Sequence, residues 1–381
     1  MTTSAQPAPS VSRRPARITP EQALEAFREP DLPALGRRAH EVACRMHPEP
    51  WRTYVVDRNI NYANWCTAGC LFCNFRADAP GGPGASSGRA GYVLDFDTIG
   101  RKIQELVDIG GTQVLMQGGL VPPEILGFDW YLELLRFIRR RFPGIHIHAF
   151  SPPEIFAFHR AFGLPLREVL LRLRDAGLDT IPGGGAEILV DRVRDRISPG
   201  KTRSDEYLEV MRTAHGIGMR TSITMMFGHI ETLSERVEHL RRIRELQDET
   251  GGFTAFICWT FQPENTPLGR LATRDSDDAG EPDGVHLALS SACDYLRTLA
   301  VARLFLDNIP NLQASWVTQG PKIGQLALFF GANDFGSVMM EENVVSAAGT
   351  TYRLTETEIR RLISDAGWQP RKRDCLYRLL D

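Results

Sequence analysis

The sequence of 381 residues lacks three features that mark large protein classes. Its net charge is only −3, which gives no electrostatic basis for binding nucleic acid or an anionic membrane. No apolar run approaches the ~18 residues that a transmembrane helix needs. The first residues also lack the apolar segment of a secretory signal peptide. These absences predict a cytoplasmic protein with neither a nucleic-acid nor a membrane partner.

The sequence also lacks a fourth cysteine near its only cysteine cluster. It contains seven cysteines, and three of them, Cys66, Cys70 and Cys73, fall in the segment "CTAGCLFC". An odd total with three clustered members is a poor pattern for a disulfide framework. It is typical of a metal or redox site in a reducing compartment.

Short apolar runs alternate with amphipathic segments from about residue 53 to the C-terminus. Eight strand-then-helix units can be counted, which predicts an α/β fold with a parallel sheet closed into a (βα)8 TIM-like barrel. Six barrel units with an appended region are the alternative. The predicted strands lie within residues 53–62, 112–117, 145–150, 178–182, 220–227, 253–261, 312–318 and 336–340.

The domain prediction has three parts. Residues 1–18, rich in Pro, Ser and Ala, are expected to be a disordered lead-in. Residues 19–50 are expected to form an N-terminal helical extension, and residues 51–381 the barrel with a C-terminal strand and helix. Two polar segments, 76–91 and 273–284, are predicted to be loops.

Polar and glycine residues follow nearly every predicted strand, where barrels of this kind gather their reactive groups. They include the cysteine cluster, Gln117, Gly118, Gly119, Ser151, Glu154, Glu187, His229, Gln262, Thr318 and Gln319. Three of these segments have a purely structural alternative. The "QGG" segment can be an ordinary turn, Glu187 can be an acidic residue at a helix start, and "SPPE" is itself a good helix start.

Two histidines, His146 and His148, fall on one face of their predicted strand. His148 is nearer the functional end of the barrel and can reach the pocket, although packing within the core is an equal alternative.

The C-x3-C-x2-C spacing supplies three thiolates, one fewer than a closed iron–sulfur or zinc site uses. A three-thiolate cluster leaves one iron with an open position. A structural zinc site with a remote fourth ligand, such as His146 or Cys258, and chance clustering of buried thiols are the alternatives.

The segment "CTAGCLFC", with Phe72 just before the third cysteine, resembles the signature of the radical S-adenosylmethionine (SAM) superfamily. The resemblance implies a [4Fe–4S] cluster on Cys66, Cys70 and Cys73, whose fourth iron is chelated by SAM. It implies a 5′-deoxyadenosyl radical, generated with one electron from an external donor such as flavodoxin or ferredoxin. Cofactor contacts are then expected from Phe72, Gln117, Gly118, Gly119, Ser151 and Glu187. A non-catalytic iron–sulfur sensor and a zinc-stabilised metabolic barrel are the rival functions.

Further segments, among them "AGLDTIPGGGAEIL" and "QASWVTQGPKIGQLALFFGANDFGSVMM", resemble the menaquinone and deazaflavin subgroup of that superfamily. Within it the second of these segments is most similar to cyclic dehypoxanthinyl futalosine synthases, which close a carbon–carbon bond in dehypoxanthine futalosine. Aminofutalosine synthase and deazaflavin (FO) synthase subunits are the alternatives. The reaction implied requires a base, and His148, Glu154 and His229 are the candidates. The Gly/Pro/Ser-rich insertion after Phe75 departs from the family pattern.

Overall fold

The structure, a computed structural model, describes residues 17–78, 90–274, 287–349 and 351–380. The strands are β1 (Trp51–Val55), β2 (Asp57–Ile60), β3 (Trp65–Cys66), β4 (Ala77–Asp78), β5 (Gln113–Met116), β6 (His146–Ala149), β7 (Thr180–Ile181), β8 (Arg220–Phe227), β9 (Phe253–Thr260), β10 (Asn311–Gln313), β11 (Asp334–Ser337) and β12 (Gln369–Lys372). The α-helices are α1 (Pro20–Arg28), α2 (Leu32–Met46), α3 (Phe96–Asp108), α4 (Phe128–Arg141), α5 (Pro152–Phe162), α6 (Leu166–Ala176), α7 (Asp191–Ile197), α8 (Ser204–Gly216), α9 (Leu233–Thr250), α10 (Pro267–Arg274), α11 (Ala292–Phe305), α12 (Trp316–Gln319), α13 (Pro321–Ala327) and α14 (Glu356–Asp365).

Ten of the strands form one sheet in the order β12-β1-β11-β10-β9-β8-β7-β6-β5-β2, and every pairing is parallel. Strands β1 and β2 are two halves of one segment interrupted at Val56. The first half pairs with β11 and the second half with β5. The sheet therefore closes on itself through residues 51–60, and the predicted eight-stranded TIM-like barrel is confirmed.

Local sequence signals set the helix ends around this barrel. In α3, Asp95 accepts a hydrogen bond from the Thr98 N–H as an N-cap, and Ile99, Ile103 and Leu106 form the buried face. The longest helix, α9, begins with a capping box between Thr232 and Glu235. Helices α1 and α2 precede the barrel, as predicted for the N-terminal extension.

The structure corrects several predicted element bounds. The helix expected from Ala186 begins only at Asp191, because Glu187 adopts a left-handed φ of 39° that a helix cannot accommodate. The strand expected over 312–318 ends at Gln313, and Trp316 begins a helical turn in which its indole N–H donates to the Ser337 carbonyl. The last barrel strand lies at Asp334–Ser337, earlier than expected, and Met339 follows with a φ of 49°.

Strand β12 was not predicted, since "QPRK" has neither the β-branched residues nor the alternation of a strand. It pairs with β1 at the outer edge of the sheet. Residues 1–16, 79–89 and 275–286 lie outside the described residues, and with them most of the predicted lead-in and of the two predicted loops, 76–91 and 273–284. Among the helices that the structure describes, none has the length and apolar character to cross a bilayer.

Candidate functional site

A cavity of about 420 Å³ runs through the barrel interior from the carboxyl ends of the strands. This volume is within the usual range for small-molecule sites. Eleven of the twelve predicted site residues line it, and His229 does not. They are Cys66, Cys70, Phe72, Cys73, Gln117, Gly118, Gly119, His148, Ser151, Glu154 and Glu187.

The cysteine loop is held at the mouth of this cavity by main-chain contacts. It leaves β3, which pairs with β4 so that Trp65 lies opposite Ala77. Leu71 ties the loop on both sides, because its N–H donates to the Ile197 carbonyl at 2.8 Å and its carbonyl accepts from the Leu268 N–H at 2.8 Å. The loop therefore has a fixed conformation in which all three cysteines can face the same space.

None of the three thiols is joined to another cysteine by a disulfide. Burial raises the pKa of the Cys66 thiol, although its sulfur accepts hydrogen bonds from the N–H groups of Ala68 and Leu120. Burial likewise raises the pKa of Cys70 to about 12, with Cys66 and Cys73 adding to the shift. The loop thus concentrates thiols that a metal centre would have to stabilise as thiolates.

Two observations speak against a zinc site. Across the residues that the structure describes, no group of three or more His, Cys, Asp or Glu side chains, the three cysteines included, is arranged to hold a metal ion. His146 and Cys258, the suggested remote ligands, are absent from the cavity lining. A single zinc ion needs all its ligands within about 2.0–2.3 Å, whereas a multi-iron cluster lets each thiolate bind a different iron.

The glycines of "QGG" are required by the packing of the cysteine strand. A Cβ on Gly119 would lie 2.0 Å from the Trp65 carbonyl oxygen and 2.7 Å from Cys66 Cβ. A Cβ on Gly118 would lie 2.5 Å from the Tyr62 ring. Only glycine lets the end of β5 approach the cysteine loop this closely.

Glu154 is buried and accepts four hydrogen bonds. One oxygen accepts from the Tyr62 hydroxyl at 2.5 Å and the Gly118 N–H at 2.9 Å, and the other accepts from the N–H and hydroxyl of Ser151. Burial raises the pKa of Glu154, and these donors oppose the shift. With its oxygens already occupied, Glu154 joins the ends of β5 and β6 and is a poor candidate for the base.

Glu187 forms an ion pair that the sequence prediction missed. The Lys201 ammonium donates to Glu187 Oε1 at 2.7 Å and lies 5.0 Å from the centre of the Phe72 ring. Glu187 Oε2 is buried and has no hydrogen-bond partner in the described part of the chain. Lys201 closes the segment "ISPGK", a signal that was visible in the sequence but was not connected to Glu187.

The two histidine candidates lie in different surroundings. His148 faces the cavity, and burial together with the charges of His146 and Arg373 lowers its pKa to about 3, so its imidazole is neutral at pH 7. His229 is fully buried, with Nδ1 accepting from the Ile230 N–H and Nε2 3.1 Å from the Met226 carbonyl. The structure therefore does not bring His229 to the cavity.

Polar residues inside the barrel were also missed by the sequence prediction. Asp57 and Gln113 are register partners on adjacent strands, and the Gln113 amide donates to Asp57 at 3.0 Å. Asn59 Oδ1 and Gln113 Oε1 are buried without a partner among the described residues. All three line the cavity, so its inner wall presents hydrogen-bonding groups to a ligand.

Comparison with known proteins places the chain in a family. Residues 60–243 match the radical SAM superfamily, and residues 250–381 match the CofH/MqnC C-terminal region. The chain is 44% identical over 364 residues to the cyclic dehypoxanthine futalosine synthase of Halalkalibacterium halodurans, covering 96% of this chain and 92% of the relative. The chain belongs to the radical SAM superfamily.

Other known proteins are similar over most of this chain. The cyclic dehypoxanthine futalosine synthase of Streptomyces coelicolor is 42% identical, covering 99% of this chain and 90% of the relative. An Archaeoglobus fulgidus protein, 5-amino-6-(D-ribitylamino)uracil–L-tyrosine 4-hydroxyphenyl transferase, is also 42% identical, covering 86% of this chain and 89% of the relative. The crystal structure of methylornithine synthase has the same fold, with a TM-score of 0.69 at 17% identity over 93% of this chain and 95% of that one.

Enzymes of the radical SAM superfamily use a [4Fe–4S] cluster and SAM, and the cavity carries donors suited to both. Three thiols at its mouth provide the three thiolates that leave one iron open. The unpartnered oxygen of Glu187 is an acceptor for a hydroxyl or ammonium group of a nucleotide cosubstrate. The residues present therefore fit the cofactors of the family.

Proposed function

We propose that this chain is a radical SAM cyclase that converts dehypoxanthine futalosine into cyclic dehypoxanthinyl futalosine, a step of menaquinone biosynthesis. The observation that carries the proposal is similarity over 96% and 99% of the chain to two relatives that bear this enzyme name. The match extends through the C-terminal region, which contributes β10, β11 and part of the cavity wall.

The cofactor-binding roles follow from the cavity lining. Cys66, Cys70 and Cys73 would hold the cluster, while Phe72, the Gln117–Gly119 segment, Ser151 and Glu187 would surround SAM. When bound, the cluster and SAM supply a carbon-centred radical that abstracts hydrogen from the substrate sugar. An external one-electron donor, such as flavodoxin or ferredoxin, would reduce the cluster.

The protein itself would orient the substrate and remove a proton. Ring closure joins two parts of one molecule, so holding the sugar against the aromatic ring can contribute roughly 7–11 kcal/mol of the barrier reduction. Formation of the carbon–carbon bond and recovery of aromaticity release one electron and one proton. His148 is the proposed base, because its imidazole is neutral and lines the cavity.

Turnover with a defined substrate tests this proposal. The anaerobic, iron-reconstituted protein is given dehypoxanthine futalosine, SAM and a reductant, and the products are identified by mass spectrometry. The cyclic product with stoichiometric 5′-deoxyadenosine is expected. No cyclic product from a protein that holds its full iron content would overturn the assignment.

A second candidate function is supported by the transferase from Archaeoglobus fulgidus, which is as similar in identity as one of the synthases. Parallel reactions with tyrosine plus 5-amino-6-(D-ribitylamino)uracil, and with the substrate of aminofutalosine synthase, separate the alternatives. The cyclase proposal requires that neither substrate set outcompetes dehypoxanthine futalosine.

A further inference from the structure

The hydroxyl of Thr180 lies between two imidazole rings. Its oxygen is 2.7 Å from His148 Nδ1 and 2.7 Å from His146 Nε2. The two histidines occupy alternate positions of β6 and so face the same side, and Thr180 of β7 is the register partner of His148. The three groups therefore form a continuous hydrogen-bonded chain.

The two histidines at the ends of this hydrogen-bonded series have different surroundings. His148 lines the cavity, where the one hydrogen-bond partner of its Nε2 among the described residues is Ser222 Oγ at 3.5 Å. His146 is the first residue of β6, at the opposite end of the barrel from the cysteine loop, and its side chain is half-buried outside the cavity lining. The hydrogen-bonded series His148–Thr180–His146 thus connects the cavity to the amino-terminal face of the barrel.

We infer that His148, Thr180 and His146 form a proton path that carries the proton released by ring closure from the cavity to the amino-terminal face of the barrel. The inference rests on the proposed function only for the source of that proton.

The transfer balances with no further reactant. The substrate proton binds His148 Nε2, and the proton on His148 Nδ1 passes to Thr180 Oγ1. The proton that Thr180 held passes to His146 Nε2, and His146 then loses its Nδ1 proton to water. The electron from ring closure leaves separately, towards the redox partner or the cofactors. Rotation of the threonine hydroxyl and exchange of tautomers restore the starting state.

The charged groups around the two histidines favour movement of the proton from His148 towards His146. A proton on His148 is disfavoured by burial and by the charges of His146 and Arg373, which explains its lowered pKa. Burial lowers the pKa of His146, and the charges of Arg139 and Arg378 lower it further. The carboxylates of Asp179 and Asp374 raise it and so partly offset these effects. Cys375 Sγ also lies 3.5 Å from Thr180 Oγ1, and burial raises its thiol pKa to about 12, so it does not offer a competing exit near neutral pH.

Thr180→Val and Thr180→Ser test the path as a matched pair. Valine keeps the shape of threonine and removes the hydroxyl, whereas serine keeps the hydroxyl. In Thr180→Val we expect formation of the cyclic product to fall about tenfold or more, while 5′-deoxyadenosine is still released. The rate of cyclic product formation by Thr180→Ser should stay within about threefold of the wild-type rate. His146→Gln should lower that rate as Thr180→Val does. Equal rates for the valine and serine variants would overturn the inference.

A measurement without substrate separates this inference from the proposed function. Proton–nitrogen correlation spectra of the histidine-labelled holoprotein report which ring nitrogen of each histidine carries hydrogen. We expect the His146 and His148 tautomers to change in Thr180→Val and to be retained in Thr180→Ser. If the valine variant leaves both unchanged, the path does not exist. If the tautomers respond but the wild type does not cyclise dehypoxanthine futalosine, the proposed function fails and the path stands.

Discussion

Lys201 donates to one oxygen of Glu187 at 2.7 Å, and the other oxygen of this cavity-lining carboxylate is buried with no hydrogen-bond partner among the described residues. The backbone of Glu187 is strained at a φ of 39°. A charged pair in a strained conformation beside three cysteines is costly for stability alone. Its placement is explained if the free oxygen binds a ligand, and the nucleotide cosubstrate of the family is the natural occupant.

Glu187→Gln should weaken SAM binding by about tenfold or more, because a hydrogen bond to a charged group is lost from a buried site. The iron content should not change, since Glu187 is not among the proposed ligands. Equilibrium binding of SAM to the anaerobic reconstituted protein, with iron analysis of the same sample, checks both expectations. Unchanged affinity would remove Glu187 from the cosubstrate site.

Lys201→Met should lower the free energy of unfolding by roughly 3 kcal/mol, because it leaves the buried Glu187 carboxylate without its partner. The matched control is Lys322→Met at an exposed position, where a change within about 0.5 kcal/mol is expected. Urea denaturation of the three proteins gives the comparison. Combining Lys201→Met with Glu187→Gln should recover part of the loss, and a fully additive double variant would contradict the pairing.

Alanine at Cys66, Cys70 or Cys73 should abolish cluster assembly, because two thiolates cannot retain the centre. Cys293 is exposed and outside the cavity, so Cys293→Ala serves as the control and should keep full iron and sulfide content. Metal analysis after anaerobic reconstitution measures the outcome. Zinc at one equivalent per chain in the wild type, or iron retained in Cys70→Ala, would overturn the ligand assignment.

The sequence predicted the cavity-lining residues that follow strands far better than the cavity-lining residues inside strands. Cys66, Gln117 and Glu187 come after apolar runs, so their position at the carboxyl edge could be read from periodicity. Asn59 and Gln113 are embedded in strands, where a polar residue facing the barrel lumen looks like one facing solvent. Which face is inside becomes known only once the barrel closes through residues 51–60.

The position of His229, a candidate base that does not line the cavity, has a similar cause. His229 follows the strand β8 in the sequence, as a functional residue should, but its ring turns back to the Met226 carbonyl three residues earlier. The carboxylate of Glu231 accepts from the N–H groups of Gly228 and His229 and fixes that turn. Side-chain direction within a turn depends on such local hydrogen bonds, which strand periodicity does not encode.

Gly119→Ala should destabilise the protein by about 3 kcal/mol and reduce its iron content, because the new methyl group would overlap the Trp65 carbonyl oxygen and Cys66 Cβ. Gly144→Ala is the control, since no atom lies within 4 Å of the added Cβ and its φ is outside the left-handed range. Denaturation and iron analysis of both variants are compared. Equal stabilities would show that the close approach is not essential.

A pH dependence is expected from His239, which is fully buried in α9. Its Nδ1 accepts a hydrogen bond from the Leu189 N–H at 3.0 Å. Burial, together with the nearby charges of Arg194 and Arg242, lowers its pKa from 6.5 to about 3. In the unfolded chain the imidazole takes up a proton below pH 6.5, but in the folded protein it does not do so until about pH 3. Its contribution to stability is therefore complete above pH 6.5 and is lost as the pH falls towards 3.

His239→Gln, whose amide oxygen can still accept from Leu189, should remove this dependence. Between pH 7 and pH 5 the wild type should lose about 2 kcal/mol more unfolding free energy than the variant, from 1.36 kcal/mol per pKa unit over the interval below 6.5. Urea titrations at pH 8, 7, 6 and 5 measure it, and the difference between the two proteins should change by only about 0.1 kcal/mol between pH 8 and pH 7, because the folded imidazole stays neutral there and the unfolded one, with a pKa near 6.5, is mostly neutral. Parallel curves down to pH 5 would mean that His239 is protonated within the fold, most directly by opening of the α9 contact with Leu189.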